Sequence, residues 1–110
     1  MISKFQIKRA SDGQFYFNLK ARNGEIILTS ESYRTESAVK NGIESVRLNA
    51  PRDELYERKI ARPDKYYFLL KAENGEVIGS SEIYSSKKTM ENGIASVKEN
   101  TANAEALDLW

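Results

Sequence analysis

The fold is decided by FYFNLKARNGE, residues 15–25, a stretch that returns as YYFLLKAENGE at residues 66–76. In each copy, large apolar residues alternate with other residues, as they do in a strand with one buried face. Each copy then reaches Asn-Gly, the dipeptide that best tolerates the positive φ angles of a type I′ turn. The sequence therefore predicts the same β-hairpin twice.

The repeat extends well beyond the hairpins. Residues 5–49 align with residues 56–100 without a gap, and roughly 20 of about 45 aligned positions are identical. Two similar units commonly pack around a pseudo-two-fold axis, so that each buries what the other exposes. We therefore expect residues 1–110 to form a single domain of two repeats, joined by a connector at residues 50–55.

Each repeat predicts three strands and a helix. A short alternating strand begins at Phe5 and at Tyr56, and the hairpin strands follow it. Thr35 and Ser86 are suited to cap a helix, and apolar residues then recur at helical spacing. The predicted fold is α+β: two tandem β-β-β-α repeats related by a pseudo-two-fold, forming one mainly antiparallel sheet with two helices on one face.

The hairpin register follows from a two-residue loop. It predicts that Leu19 lies opposite Leu28 and that Lys20 lies opposite Ile27. The alternation places Phe15, Phe17 and Leu19 on the core face with Leu28. The opposite face, here called the open face, then carries these residues as candidate binding residues: Tyr16, Lys20, Ile27, Tyr67, Leu69, Lys71 and Ile78.

The composition excludes several classes of function. The 110 residues contain neither Cys nor His, so a disulfide, a thiolate or His metal site and a Ser-His triad cannot form from this chain alone. No cofactor or metal site is expected. Seventeen basic and sixteen acidic residues give a net charge of +1, which favours no class of partner. Without a signal peptide or a membrane-spanning run, we expect a cytoplasmic protein.

The residues that connect each third strand to its helix, and those beside each hairpin turn, allow either a structural or a functional role. Glu31 and Tyr33, repeated as Glu82 and Tyr84, could perform acid/base chemistry, but a carboxylate that caps N–H groups above a packed ring is the more common arrangement. No nucleophile lies near them, so we expect no catalytic residues. Lys20 with Glu25, and its repeat, fit either an anion site or a solvated ion pair.

Two further features concern the core and the end of the chain. A repeated glycine within the helices, Gly42 and Gly93, predicts close packing rather than a ligand groove. The last residues, 101–110, predict a loose tail, with Leu107, Leu109 and Trp110 docked on the sheet as the alternative.

The repeated motifs resemble a known family. The pattern FYF-x-LKA-x-NGE, then SE-x-Y, then NGI-x-SV, with its second copy, is similar to the YegP-like family of small bacterial proteins of uncharacterised function. The resemblance covers both repeats and implies the fold given above. It implies no catalytic residues, because none is agreed for the family. One departure is Gly79 in place of Leu28, which predicts a thinner second core.

The open face is the best candidate for function. Its aromatic and basic residues suit a protein partner, self-association or single-stranded nucleic acid, although Tyr and Ile are also simply common in strands. We expect a non-enzymatic interaction module that binds a partner through this face, with nucleic-acid binding as the alternative and no role at a membrane.

Overall fold

A computed structural model describes residues 2–108 and confirms the α+β fold with two β-β-β-α repeats. A short 3-10 turn at Asp53–Leu55 lies in the connector, and one further strand follows the second helix. The first repeat comprises β1 (Lys4–Arg9), β2 (Phe15–Lys20), β3 (Ile26–Ser30) and α1 (Glu36–Asn49). The second comprises β4 (Tyr56–Arg62), β5 (Lys65–Lys71), β6 (Val77–Ser80) and α2 (Lys87–Thr101), and β7 (Glu105–Asp108) ends the described chain.

All seven strands form one sheet in the order β4-β5-β6-β3-β2-β1-β7. Neighbouring strands are antiparallel except β1 and β7, which are parallel. The two repeats meet where Thr29 of β3 pairs with Ser80 of β6. These two residues occupy equivalent positions in the repeats, so the predicted pseudo-two-fold axis passes through this pair.

Both helices pack on the same face of the sheet and contact strands of both repeats. They begin where predicted: the hydroxyl of Thr35 accepts the N–H of Ala38, and Ser86 forms a capping box with Thr89. Because each helix covers strands of both repeats, the two units share one hydrophobic core. Its fully buried members include Phe5, Ile7, Phe17, Leu19, Val46, Phe68, Leu70 and Val97.

The hairpin loops contain three residues, so the predicted two-residue type I′ turn is wrong. The N–H of Gly24 donates to the carbonyl of Ala21, and the N–H of Ala21 donates to the carbonyl of Glu25, both at 2.9 Å. Only Gly24 has a positive φ, +86°. Asn23 instead accepts the N–H of Glu25 with its side chain. This is a type I turn closed by a glycine bulge, and it recurs at Gly75.

The longer loop moves Lys20 opposite Ile26, so the predicted pair of Lys20 and Ile27 is wrong. Leu19 nevertheless pairs with Leu28 as predicted, because β3 carries Ile27 as the extra residue of a β-bulge. The second repeat has the same bulge, with Leu70 opposite Gly79, Lys71 opposite Val77, and Ile78 as the extra residue.

The predicted thinning of the second core at Gly79 is wrong. A Cβ atom at Gly79 would lie 2.8 Å from Cγ of Leu28. The pseudo-two-fold axis brings these equivalent positions together, and there is room for one large side chain between them. Leu28 fills the space that Gly79 leaves.

The predicted loose tail is wrong for Glu105–Asp108, which forms β7 beside β1. The outer edge of β1 pairs with it from Lys4 to Ile7, and Ala106 lies in register with Phe5. Arg47 fixes the residue that precedes β7, because its guanidinium donates a hydrogen bond to the carbonyl of Ala104 at 2.7 Å. Leu109 and Trp110, which belonged to the docking alternative, lie outside the described residues.

Candidate functional site

The open face of the sheet carries no helix, because both helices pack on the other side. Alternation along the strands places five of the predicted residues on it, all of them half-buried: Tyr16, Lys20, Tyr67, Leu69 and Lys71. Ile27 and Ile78 are 5 % and 7 % exposed and belong to the hydrophobic core cluster. Because both lie in bulges, these two isoleucines offer a partner very little surface.

Strand β1 adds residues to the open face that the sequence analysis did not select. Phe5 and Ile7 point into the core, so Lys4 and Lys8 lie on the open face. The register sets Lys4 opposite Lys20 and Lys8 opposite Tyr16. The alternation of β1 contained this signal, since strand neighbours of buried residues point the other way.

The second repeat presents a different charge arrangement. Nζ of Lys71 lies 2.7 Å from Oε1 of Glu57, and Nζ of Lys59 lies 3.6 Å from the other oxygen. The hydrogen bond from Lys71 is the main reason that the pKa of Glu57 lies below its ordinary value. The equivalent position in the first repeat is Gln6, which has no charge to offer Lys20.

Lys20 and Lys71 therefore differ, although the sequence predicted the same role for both. Lys71 pairs with Glu57 of the neighbouring strand and not with Glu76 across the hairpin turn. Within residues 2–108, no carboxylate forms an ion pair with Lys4, Lys8 or Lys20.

The open face as a whole is basic. Its described strand positions hold six lysines and one arginine against two glutamates, a surplus of five positive charges, whereas the whole chain carries +1. The fold therefore concentrates positive charge on one face although the whole chain is almost neutral. The rest of the molecule is net negative. The lysines are Lys4, Lys8, Lys20, Lys59, Lys65 and Lys71, the arginine is Arg62, which pairs with Lys65, and the glutamates are Glu57 and Glu105.

The Ser-Glu-x-Tyr junctions are structural connections between the sheet and the helices. The hydroxyl of Ser30 accepts the N–H of Phe17 at 2.9 Å and donates to the carbonyl of Glu31 at 2.8 Å. Tyr33 exchanges two backbone hydrogen bonds of 2.7 Å with Phe15. Ser81, Tyr84 and Tyr66 repeat these contacts in the second unit, where Ser81 again binds the N–H of a Phe.

The acidic residues of the junctions do not cap N–H groups, so that part of the prediction is wrong. Glu31 and Glu82 are exposed, and no described residue hydrogen-bonds their carboxylates. Burial raises the pKa of Tyr33, with further increases from the carboxylates of Glu31 and Glu76. The phenol consequently stays protonated at neutral pH and does not serve as a general base. Tyr84 behaves in the same way, with Glu82 and Glu25 as the neighbouring carboxylates.

Within residues 2–108, no group of three or more acidic residues is arranged to hold a metal ion. Neither α1 nor α2 is long and apolar enough to cross a membrane.

Comparisons with known proteins match this chain over nearly its whole length. The family model described as "Domain of unknown function (DUF1508)" matches twice, at residues 10–57 and 61–108. A UPF0339 protein of Pseudomonas aeruginosa is 51 % identical over 98 % of both chains. YegP of Escherichia coli, another UPF0339 protein, is 48 % identical over 98 % of both chains.

Solved structures show the same fold. The solution NMR structure of E. coli YegP, a protein of unknown function, has a TM-score of 0.91 and 48 % identity, covering 98 % of this chain and 93 % of that one. A UPF0339 protein of Shewanella oneidensis also has a TM-score of 0.91, with 47 % identity and coverage of 99 % and 92 %. The resemblance drawn from the repeated motifs is confirmed, and the chain belongs to the DUF1508 family of bacterial UPF0339 proteins, whose function is unknown.

Proposed function

We propose that this protein is a non-enzymatic interaction module that binds an anionic partner through the open face of its sheet. The observation that carries the proposal is the surplus of five positive charges on that face in a chain of net charge +1. Charge concentrated on one surface attracts a partner of opposite sign and orients it during the encounter.

The form of the face supports binding rather than catalysis. Seven strands present a broad surface that neither α1 nor α2 covers, and its paired charges, Glu57 with Lys59 and Lys71, are ion pairs within and between strands. The strongest catalytic alternative uses Glu31 or Glu82 with its Tyr. Those carboxylates are exposed, and burial raises the pKa of each Tyr, so the phenols stay protonated at neutral pH.

The test compares two variants that each remove three positive charges. Lys4→Gln/Lys8→Gln/Lys20→Gln changes the open face. Arg34→Gln/Lys87→Gln/Lys88→Gln changes exposed residues at the starts of the helices and serves as the control. Both are applied to immobilised heparin, after circular dichroism has verified the fold.

We expect the open-face variant to elute at clearly lower salt than the wild type and the control. Three lost phosphate-like contacts lower the salt slope of binding by about 2. If both variants elute together, charge acts without regard to position and the proposed surface is wrong.

A further inference from the structure

Lys4 and Lys20 form a like-charge pair that the fold itself does not neutralise. They lie directly opposite each other on β1 and β2, where paired Cβ atoms are about 5 Å apart and like charges are destabilising. Glu105 of β7 is in register with Lys4, but no ion pair joins them. A bound anion would remove the repulsion between the two ammonium groups.

An aromatic ring stands on the same surface, about 13 Å along β1 from this pair. Lys8 is four residues beyond Lys4, at a rise of about 3.3 Å per residue, and Tyr16 lies opposite Lys8. Between the two ends runs a polar row in which Asn18 donates to Thr29 at 2.9 Å. The surface thus combines positive charges with a half-buried aromatic ring and hydrogen-bonding side chains.

This combination matches one chemical class of anion. Single-stranded nucleic acid needs cations along its backbone and an aromatic face on which an unpaired base can stack. A duplex keeps its bases inside the helix, and a run of Asp or Glu side chains has no flat ring to place on Tyr16. We propose that the open face of the first repeat, formed by Lys4, Lys8, Tyr16 and Lys20, binds single-stranded nucleic acid.

The second repeat explains why we assign the site to one half of the face. Tyr67 lies opposite Lys59 just as Tyr16 lies opposite Lys8. Glu57, however, forms ion pairs with both Lys59 and Lys71. The equivalent residue in the first repeat is the uncharged Gln6. The two repeats have the same fold, but the carboxylate of Glu57 pairs with the lysines of the second repeat, so they are less available to a ligand.

The proposal rests on the proposed function and is tested by separate measurements. Fluorescence anisotropy follows a labelled oligouridine 12-mer over a series of salt concentrations. In Lys4→Gln/Lys8→Gln/Lys20→Gln we expect the slope of log affinity against log salt to fall by about 2, since each contact to a single strand contributes about 0.7. The variant at Arg34, Lys87 and Lys88 should retain the wild-type slope.

Tyr16 separates nucleic acid from other polyanions. We expect Tyr16→Ser to weaken oligouridine binding roughly tenfold, because a base loses its stacking partner, while Tyr16→Phe retains it. Polyglutamate and a duplex of the same length are the competing probes. If Tyr16→Ser binds like the wild type, or if polyglutamate binds as tightly as the oligonucleotide, the assignment to nucleic acid is wrong.

Glu57→Gln is expected to increase binding, a result that a misfolded variant would not give. It gives the second repeat the glutamine of the first and frees Lys59 and Lys71, so we expect tighter binding and a slope steeper by about 0.7 to 1.4. Unchanged binding would contradict the role given to unpaired lysines. Heparin retention that depends on the open face, without oligonucleotide binding, would sink this inference and leave the proposed function standing; loss of both would refute both.

Discussion

Gly42 shows how one missing side chain joins a helix to the sheet. A Cβ atom at this position would lie 2.7 Å from Cζ of Tyr33, so the helix approaches the ring more closely than any other residue would allow. Gly93 and Tyr84 repeat the contact at 2.6 Å. The predicted close packing is confirmed, and the glycines meet the tyrosine rings of the junctions. The loss of helix propensity at each glycine, roughly 1 kcal/mol, is offset by the packing of the ring.

Gly42→Ala should therefore destabilise the protein although alanine is the better helix former. We expect a loss of about 1–3 kcal/mol in the free energy of unfolding, the usual range for overpacking, measured by urea denaturation. In a Tyr33→Ala background the ring is gone, and the same substitution should become neutral or stabilise by up to about 1 kcal/mol. The same sign of effect in both backgrounds would show that the ring is not the cause.

The outer edges of β1 and β4, which are equivalent strands of the two repeats, differ: in the described chain a further strand pairs only with β1. At the β1 edge, Ile7 is fully buried in the core and β7 pairs with the strand. At the equivalent position β4 carries Arg58, which binds Glu91 at 2.6 Å and Asp53 at 3.0 Å. Charged groups on an edge strand discourage further pairing. The outer edge of β4 therefore carries ion pairs, and the outer edge of β1 is paired with β7.

Glu105→Pro tests whether β7 stabilises the β1 edge. The N–H of Glu105 donates to the carbonyl of Ser3 at 3.3 Å, and proline cannot make this bond. We expect the free energy of unfolding to fall by about 1–3 kcal/mol and the amides of β1 to exchange faster with solvent. Glu105→Ala keeps the N–H and is the matched control. Equal stability of the two variants would mean that β7 contributes nothing to the fold.

Acidic residues across the molecule bind cations that belong to distant parts of the chain. Asp53 in the connector binds Arg58 of β4 and Lys98 of α2, and Glu91 of α2 binds the same arginine. Hydrogen bonds from Lys98 and Arg58 are the main cause that lowers the pKa of Asp53, and a hydrogen bond from Arg58 lowers the pKa of Glu91. These exposed pairs connect the helix, the connector and the sheet.

Stability should consequently decline in acid. A carboxyl group with a lowered pKa in the folded state stabilises the fold above its unfolded pKa, about 4 to 4.5, and the contribution disappears as the pH falls through the folded value. We expect the free energy of unfolding to fall below about pH 4.5, measured by urea denaturation from pH 7 to pH 2.5. Glu91→Gln should be less stable than the wild type at pH 7 and converge with it at the acid end. A gap that is constant with pH would contradict the assignment.

Most of the fold could be predicted because its signals are local. Strand alternation identified Phe15, Phe17 and Leu19 as core residues, and Thr35 and Ser86 were correctly placed at the helix starts. The hairpin loop was wrong because Asn-Gly serves two turn types, and the bulge that follows depends on packing across the strands. The candidate site was partly predicted: Tyr16 and Lys20 lie on the open face, whereas Ile27 lies buried in a bulge.

The sequence by itself determined the repeat, the order of the elements and the family, since periodicity and turn residues act over a few positions. The tertiary structure alone decided which strands became neighbours, and this placed Lys4 opposite Lys20 and Glu57 beside Lys71. It also decided that residues 105–108 pair with the outer edge of β1. Electrostatic energy depends on distance rather than on composition, so a chain of net charge +1 can carry a strongly basic face.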